Sequence, residues 1–486
     1  MAYGSPFQRR LYYQVAPPLQ TIMANLYGFQ HRRRSRGPHF RRWFQHLSQS
    51  QWRSAEQMRQ MAFERLRLLL EFAYNYTAYY RELFEGLRAR PADIRSLDDL
   101  KKLPVLTKEC VRARYQDLIA APYRSEKGTC EMHTSGTTGK ALRILLTQEC
   151  YQREYAYRAL HYSWAGASLD DRCAMMAGHP VVHVDSSKPP FWRFNYVENR
   201  LMFSSQHLYP RYAREWLQAL QDFRPVVIHG YPSTVAWVAR AAVENNHRGI
   251  RPRAVFTSAE TLLEAQRRVI EEAFACKVYN WYGNAEHIGC IIECPAGGLH
   301  IQPEHSWLEI VDEQDKEVSA GATGQLIATT LINFAMPLIR YALGDLVVAS
   351  GRTCACRRQS PLVESVEGRV EDYLLGQGGR LFGRLDHIFK DMTQVSEAQI
   401  VQNEVGAALL RVVRRPGFSD QDRQMLLEAA HSRLGRDFRV ALEFVDSIPR
   451  SASGKFQFIV NNLKNRPPHG IPAGIADLSQ ETRQED

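Results

Sequence analysis

A chain of 486 residues is too long for one compact domain, and 44% hydrophobic with 23% charged residues is an ordinary globular composition. No run approaches the roughly 20 apolar residues of a membrane-spanning helix, and the start, MAYGSPFQRRLYY, lacks the apolar core of a secretion signal; a cytoplasmic protein without membrane contact is the expectation. A net charge of +10 admits anionic partners, but no nucleic-acid module accompanies it, so nucleic acid is the weakest of these and phosphorylated substrates remain.

Taken in chain order, the first feature is HRRRSRGPHFRRW at 31–43, where the basic excess concentrates. Aromatics do not interleave regularly with its arginines, so residues 1–50 read as a basic, solvated, partly flexible arm. SAEQMRQMAFERLRLLLEFA then predicts a helix: Ser54 and Gln57 have capping-box spacing, and Met58, Met61, Ala62, Leu66, Leu69, Leu70 and Ala73 share one face. At 133–140 comes HTSGTTGK, just before the apolar run ALRILL. Hydroxyls, glycines and a lysine suit a phosphate, since glycine lets the backbone approach and the lysine supplies charge. It is not a Walker P-loop: Thr134 stands where that motif needs its first glycine, and Ala141 follows Lys140 in place of Ser or Thr.

From 224 onward the pattern alternates. PVVIHG (225–230), RAVFTSAE (253–260) and CKVYNWYG (276–283) read as strands, with helices from Ser233 to about Asn246 and over 262–274 between them. Such alternation predicts a parallel sheet with crossover helices, whose ligands collect beyond the carboxyl ends of the strands. TSAE and WYGNAE lie at two such ends. GQLIATTLIN (324–333) and PLIRYALGDLVV (337–348) read as paired strands, and VEGRVEDYL (366–374) as the end of the first globule. A small α+β unit follows: a strand over 406–415, a helix with cap and glycine stop over 419–435, and a strand over 438–446. Residues 465–486 read as a disordered tail. Nine cysteines without an export signal predict thiols, not a disulfide framework.

Four separated stretches need one explanation: TSGTTGK at 134–140, YGNAE at 282–286, RYALGDL at 340–346 and PRSASGK at 449–455. In this order and spacing they resemble the adenylate-forming enzyme superfamily, and within it the phenylacetate–CoA ligase branch with its CapK-type members. YPSTVAWVARA, GRVEDYL, GRLDHIFKD and EAQIVQ resemble that branch as well. The resemblance covers about residues 50–462. It implies an α/β fold: a large ATP- and carboxylate-binding domain over 51–368, then a small mobile α+β domain over 369–464 carrying the catalytic lysine. It implies adenylation of a small carboxylic acid by ATP with Mg²⁺, then acyl transfer to CoA. The alternatives are transfer to an amine or carrier protein, or a non-catalytic nucleotide-binding homologue.

The implied roles fall residue by residue. Thr134, Ser135, Gly136, Thr137, Thr138, Gly139 and Lys140 would wrap the β- and γ-phosphates. Glu286 would hold Mg²⁺. Tyr282, beside Gly283, would flank the adenine, and Ser258, Ala259 and Glu260 would line its pocket through the backbone. Asp345 would accept the ribose hydroxyls and Arg369 would reach ribose or phosphate. Lys455 would bridge the attacking carboxylate and the α-phosphate. Gly368 to Asp372 would form the hinge. The chain departs from the family pattern at Ala285, Leu343 and Glu371, where Thr or Ser, Thr, and Asp are usual. Cys294, His300, Cys354 and Cys356 have a donor set suited to structural zinc, with Cys290 as a substitute for Cys294; reduced, unligated thiols are the alternative. His179 and His183 read as structural histidines or as contacts to the carboxylate substrate.

Overall fold

The computed structural model describes residues 11–125, 128–133, 142–179, 181–183, 186–369, 374–377, 381–382, 385–389, 392, 394–451 and 454–463. The loop 134–140 and the tail 465–486 lie outside the described residues.

The N-terminal segment differs from the solvated arm expected. Residues Pro17–Ser35 and Pro38–Ser50 form two helices, each with proline in its first turn, where the missing N–H costs no hydrogen bond. They are fastened by their polar residues. His31 is buried and contacts Glu198 at 2.7 Å and the Tyr155 hydroxyl at 2.7 Å. Arg36 pairs with Asp170, and Trp43 donates to Glu149 at 3.0 Å while the Arg153 guanidinium lies 3.4 Å from its ring centroid. The basic residues of this stretch alternate with the anchors, so a charge run that reads as solvated is in fact half docked. The helix Ala55–Tyr76 follows, with Ser54 and Gln57 exchanging both capping-box hydrogen bonds and Met58, Ala62, Leu66, Leu69, Leu70 and Ala73 buried.

Strands β1 (Cys130–His133) and β2 (Arg143–Leu146) pair antiparallel as the two arms that carry the 134–140 loop. The helix Gln148–Trp164 follows, its first turn capped by the Thr147 hydroxyl accepting from Cys150 N at 3.0 Å. The main sheet is built from β3 (Cys173–Met176), β4 (Trp192–Asn195), β5 (Arg200–Phe203), β6 (Val227–Gly230), β7 (Ala254–Ser258), β8 (Val278–Tyr282), β9 (Ile291–Glu293), β10 (Leu299–Ile301), β11 (Ser306–Val311), β12 (Thr323–Thr330), β13 (Tyr341–Ala349) and β14 (Leu362–Arg369). Their spatial order is β11-β12-β13-β14-β10-β9-β8-β7-β6-β3-β5-β4.

The sheet has two halves. The run β5-β3-β6-β7-β8 is parallel, and helices Ala213–Phe223, Pro232–Glu244 and Glu264–Phe274 make its crossovers, as parallel pairing demands. Its strands are buried on both faces, which is why they read as unbroken apolar runs. From β8 to β11 the pairing is antiparallel. Gly230 sets one close approach: a Cβ there would lie 2.3 Å from the Met176 carbonyl oxygen of the neighbouring strand. Of residues 366–374, expected to end the first globule, 366–369 lie in β14 of the main sheet.

Past 369 the chain builds a second, smaller sheet. A short pair, β15 (Leu374–Leu375) and β16 (Leu381–Phe382), precedes β17 (Val395–Gln402), β18 (Ala407–Arg414), β19 (Arg439–Phe444) and β20 (Ile459–Asn461), the last four in the order β19-β18-β17-β20. The helix Asp420–Leu434, capped by Ser419 and Asp422, covers it through Leu426, Ala430 and Leu434. This unit has its own core, including Leu374, Ile400, Leu410, Val412 and Phe438. Strands β17 and β20 are absent from the sequence reading; β17 has polar residues along half its length and β20 is three residues long.

Trp43→Ala tests the docked N-terminus. Removing a buried indole that packs under two arginines is expected to cost about 3 kcal/mol, lowering the thermal midpoint by several degrees. A solvated arm predicts no change in that melting experiment.

Candidate functional site

The site is assembled at the carboxyl ends of the parallel strands. β6 ends at Gly230, β7 at Ser258 and β8 at Tyr282, and β3 leads into Gly178 and His179. Tyr231 N donates to Met176 O at 2.9 Å, which holds the β3 and β6 ends together.

Three of the expected nucleotide residues meet here with defined partners. The Tyr282 hydroxyl donates to Asp345 Oδ2 at 2.6 Å, so the ring and the carboxylate form one unit. Asp345 is buried in β13 opposite Arg369 of β14, and the preceding Gly344 adopts φ +77°, which a side chain would resist. Glu286 is buried and accepts from the Tyr341 hydroxyl at 3.2 Å. Gly283 has no room for a side chain, because a Cβ would lie 2.5 Å from Trp281 Nε1. A carboxylate oxygen fixed by a phenol is a hard donor, the type that Mg²⁺ selects. Tyr341 did not figure among the expected site residues. Its motif neighbour Arg340 serves structure: its guanidinium is buried against Asp315 at 2.6 Å, Glu309 at 3.0 Å and the Leu103 carbonyl at 2.8 Å, anchoring the start of β13.

In the Ser258–Glu260 segment, expected to line the adenine pocket through its backbone, the Glu260 side chain has a structural contact of its own. Ala259 has φ +70°. The Glu260 carboxylate accepts two backbone N–H groups, Ser233 N at 3.2 Å and Phe456 N at 2.6 Å. Phe456 follows Lys455, so this side chain ties the small unit to the strand ends. Burial pushes the Glu260 carboxyl up, against the two N–H donors that favour its charged form. Lys455 sits in a turn closed by Ser451 N to Lys455 O at 2.9 Å and Lys455 N to Ser451 Oγ at 3.0 Å. Gly454, at φ +76°, presses on Ser205: a Cβ would come 2.2 Å from its Oγ and 3.6 Å from Gly178 Cα. Arg450 braces the turn by pairing with Glu397 at 2.5 Å.

Residues 134–140 lie outside the described residues, as do 370–372 of the expected hinge. His179 is half-buried, and desolvation holds its imidazole down at about 3, neutral at ordinary pH. His229, which sequence reasoning passed over, lies one residue before the end of β6. The Tyr162 hydroxyl stands 2.7 Å from its Nδ1 and the Ser258 hydroxyl 3.4 Å from its Nε2.

A second cluster lies in the antiparallel half. The ligand atoms of Cys294, His300, Cys354 and Cys356 all fall within 4.8 Å of one another. Cys294 Sγ is 3.4 Å from Cys354 Sγ, and Cys356 Sγ is 3.2 Å from His300 Nε2. His300 Nδ1 faces Ser360 Oγ at 2.9 Å, which leaves Nε2 for the thiols. The antiparallel pairing of β10 with β9 and β14 brings these positions together. Gly298 is required here, since a Cβ would lie 2.7 Å from Cys354 Sγ. Cys290, the substitute for Cys294, is buried instead beside Trp281 and Ile292 in a hydrophobic cluster.

Comparison with known proteins gives consistent matches. A model described as AMP-binding enzyme matches residues 87–333, and one described as CapK C-terminal domain matches 377–462. The chain is 26% identical over 415 residues to protein CapK of Staphylococcus aureus, covering 83% of this chain and 90% of that one. It is 29% identical over 385 residues to phenylacetate-coenzyme A ligase of Thermus thermophilus, covering 75% and 80%. Among solved structures, 2-hydroxyisobutyryl-CoA ligase in the postadenylation state with 2-HIB-AMP superposes with a TM-score of 0.65 at 20% identity, over 84% of this chain and 90% of that one. The same ligase in its thioesterification state with CoA gives 0.52 at 20% identity, over 85% and 91%. These structures share the fold.

Gly454→Ala probes the contact between the two units. The added methyl is blocked by Ser205, and the φ of +76° is strained for alanine, so the turn is expected to lift from the strand ends. Fluorescence energy transfer between labels on the two units should fall, with the small unit still folded; unchanged transfer contradicts the tight seating.

Proposed function

This chain belongs to the AMP-binding enzyme family, and from that premise we propose that it is an ATP-dependent, AMP-forming carboxylate ligase that passes its acyl group to CoA. The observation that carries this reading is the seating of the Lys455 turn, through Phe456 N and Glu260, on the same strand ends that present Tyr282 and lead to Glu286.

In the first half-reaction a carboxylate oxygen bonds to the α-phosphorus of ATP and the bond to the bridging oxygen breaks, releasing pyrophosphate. Two anions must approach, so positive charge and fixed donors at phosphorus lower the barrier. Lys455 takes that role between carboxylate and α-phosphate, as a compact charge on a flexible stem. Asp345, oriented by Tyr282, accepts the ribose hydroxyls, and Tyr282 lies against the adenine. Ser258, Ala259, Glu260 and Gly283 line the nucleotide, Thr134–Lys140 hold the β- and γ-phosphates, and Arg369 reaches the ribose or a phosphate. Glu286, oriented by Tyr341, would hold Mg²⁺, which would neutralise phosphate charge. In the second half-reaction the CoA thiolate attacks the acyl carbonyl and AMP leaves. The small domain, 369–464, turns about Gly368–Asp372 to withdraw Lys455 and admit the thiol. Transfer of the acyl group to an amine or a carrier protein is the second reading.

The Cys294, His300, Cys354 and Cys356 cluster is proposed to hold structural zinc. Three thiols and one imidazole whose donor atoms lie within 4.8 Å of one another suit a tetrahedral ion with four protein ligands, which leaves no open position for chemistry.

Carboxylate-dependent ATP–pyrophosphate exchange tests the ligase. Lys455→Ala should lower exchange by roughly 10³-fold while ATP still binds, the cost of removing one transition-state donor. Near-normal exchange in that variant removes Lys455 from the reaction. Purified protein should contain about one zinc per chain, four protein ligands closing one tetrahedral site, and Cys356→Ser should lose it and melt earlier; metal analysis that finds none rejects the cluster as a zinc site.

A further inference from the structure

The helix Gln148–Trp164 turns an unusually polar face toward the parallel strands. Its residues Glu154, Tyr155, Arg158, His161 and Tyr162 are spaced three and four apart, so they share that face. Tyr162 reaches His229 near the end of β6, and His229 reaches Ser258 at the end of β7. The face therefore borders the region beyond the strand ends where the acid must sit. An apolar acid would call for an apolar wall here.

Among the described residues, Arg158 and Arg240 lack the partners that other interior arginines have. Arg340 is matched by two carboxylates, Arg450 by Glu397, and Arg153 by the Trp43 ring. Arg158 is half-buried and, among the described residues, makes no hydrogen bond or ion pair; it lies 4.9 Å from the Tyr155 ring centroid. Its nitrogens stay within reach of solvent. The two nearby acids are already engaged. Glu154 is held by His305 at 2.9 Å and lies 3.7 Å from His287. Glu198 is held by His31 at 2.7 Å and Asn195 at 3.0 Å. Arg200, buried, approaches Glu198 only to 3.9 Å. Arg200 opens β5 beside Cys173 of β3, and the Tyr162 hydroxyl stands 4.0 Å from the Cys173 thiol, so Arg200 lies next to this helix face. An arginine kept from a protein carboxylate while bordered by buried groups is a fork awaiting one.

We propose that Arg158, with Arg200 behind it, binds a second carboxylate on the acyl substrate, so that the acid this protein activates is a dicarboxylate. The inference rests on the ligase reading above. One carboxylate meets Lys455 and the α-phosphate, and the other forms paired hydrogen bonds with Arg158. A monoacid of the same length leaves the guanidinium without its partner, which is how a polar site rejects an analogue lacking one group.

The test measures kcat/KM for ATP–pyrophosphate exchange with two matched pairs, butyrate against glutarate and phenylacetate against 4-carboxyphenylacetate. The wild-type protein should favour at least one diacid over its monoacid by about 100-fold, the scale of one charged hydrogen-bonding pair. Arg158→Leu should erase that preference by losing activity on the diacid and keeping it on the monoacid; Arg158→Lys should retain part of it. The melting temperature of Arg158→Leu should match wild type, since Arg158 has no ion-pair partner to lose. Exchange that favours the monoacids, or an Arg158→Leu variant that loses both acids equally, overturns the inference and leaves the ligase standing. Absence of exchange with all four acids overturns the ligase reading, and the inference with it.

Discussion

One carboxylate joins the two parts of this molecule. Glu260 sits at the end of a parallel strand and accepts a backbone N–H from each side, Ser233 from the large unit and Phe456 from the small one. Taking that carboxylate out of water has a cost, visible in its raised pKa, and the two N–H donors offset it. The balance is small by construction. If the small unit departs, Phe456 takes its donor away and water can return to Glu260. A contact of this type holds a lysine in place without locking it there, which is what a two-step reaction through one site requires.

The two halves of the main sheet divide the remaining work. Parallel strands end together, so β3, β6, β7 and β8 deliver short loops to one edge and make a cleft. Asp345 comes from the antiparallel wing and Glu286 from the segment between β8 and β9. Asp345 and Glu286 each take a hydrogen bond from a tyrosine, Tyr282 and Tyr341, and neither is left to find its own orientation. Arg340 anchors the start of the strand that carries Asp345. The cysteine and histidine cluster staples β9 and β10 to the loop before β14, within the same wing. A metal there would stiffen the scaffold of Asp345 and take no part in the chemistry.

The floor of the cleft has a different character from its rim. The helix Gln148–Trp164 is almost wholly buried, yet its inner face carries a glutamate, an arginine, a histidine and two tyrosines. Buried polar groups persist when they are paired, and most of these are: Glu154 with His305, Tyr155 with His31, His161 with the Glu293 carbonyl at 3.0 Å, Tyr162 with His229. Against that background Arg158, half-buried and without an ion pair among the described residues, is the group for which a ligand carboxylate is proposed.

The elements that depend on neighbouring residues were legible in the amino-acid order. The capping box at Ser54, the strand–helix alternation from 225 to 283 and the cap at Ser419 each follow from local hydrogen bonding and side-chain period, and the structure has them where expected. The motif residues, too, were legible as a set. What only the tertiary structure decided is which distant groups meet. Tyr341 beneath Glu286, Glu260 spanning to Phe456, and the N-terminal helices docked through His31 and Trp43 join residues 55 to 196 positions apart or bury charge runs that look solvated. No periodicity encodes such pairs, because their energy comes from removing particular polar groups from water together, and that happens only after the sheet has brought them into contact.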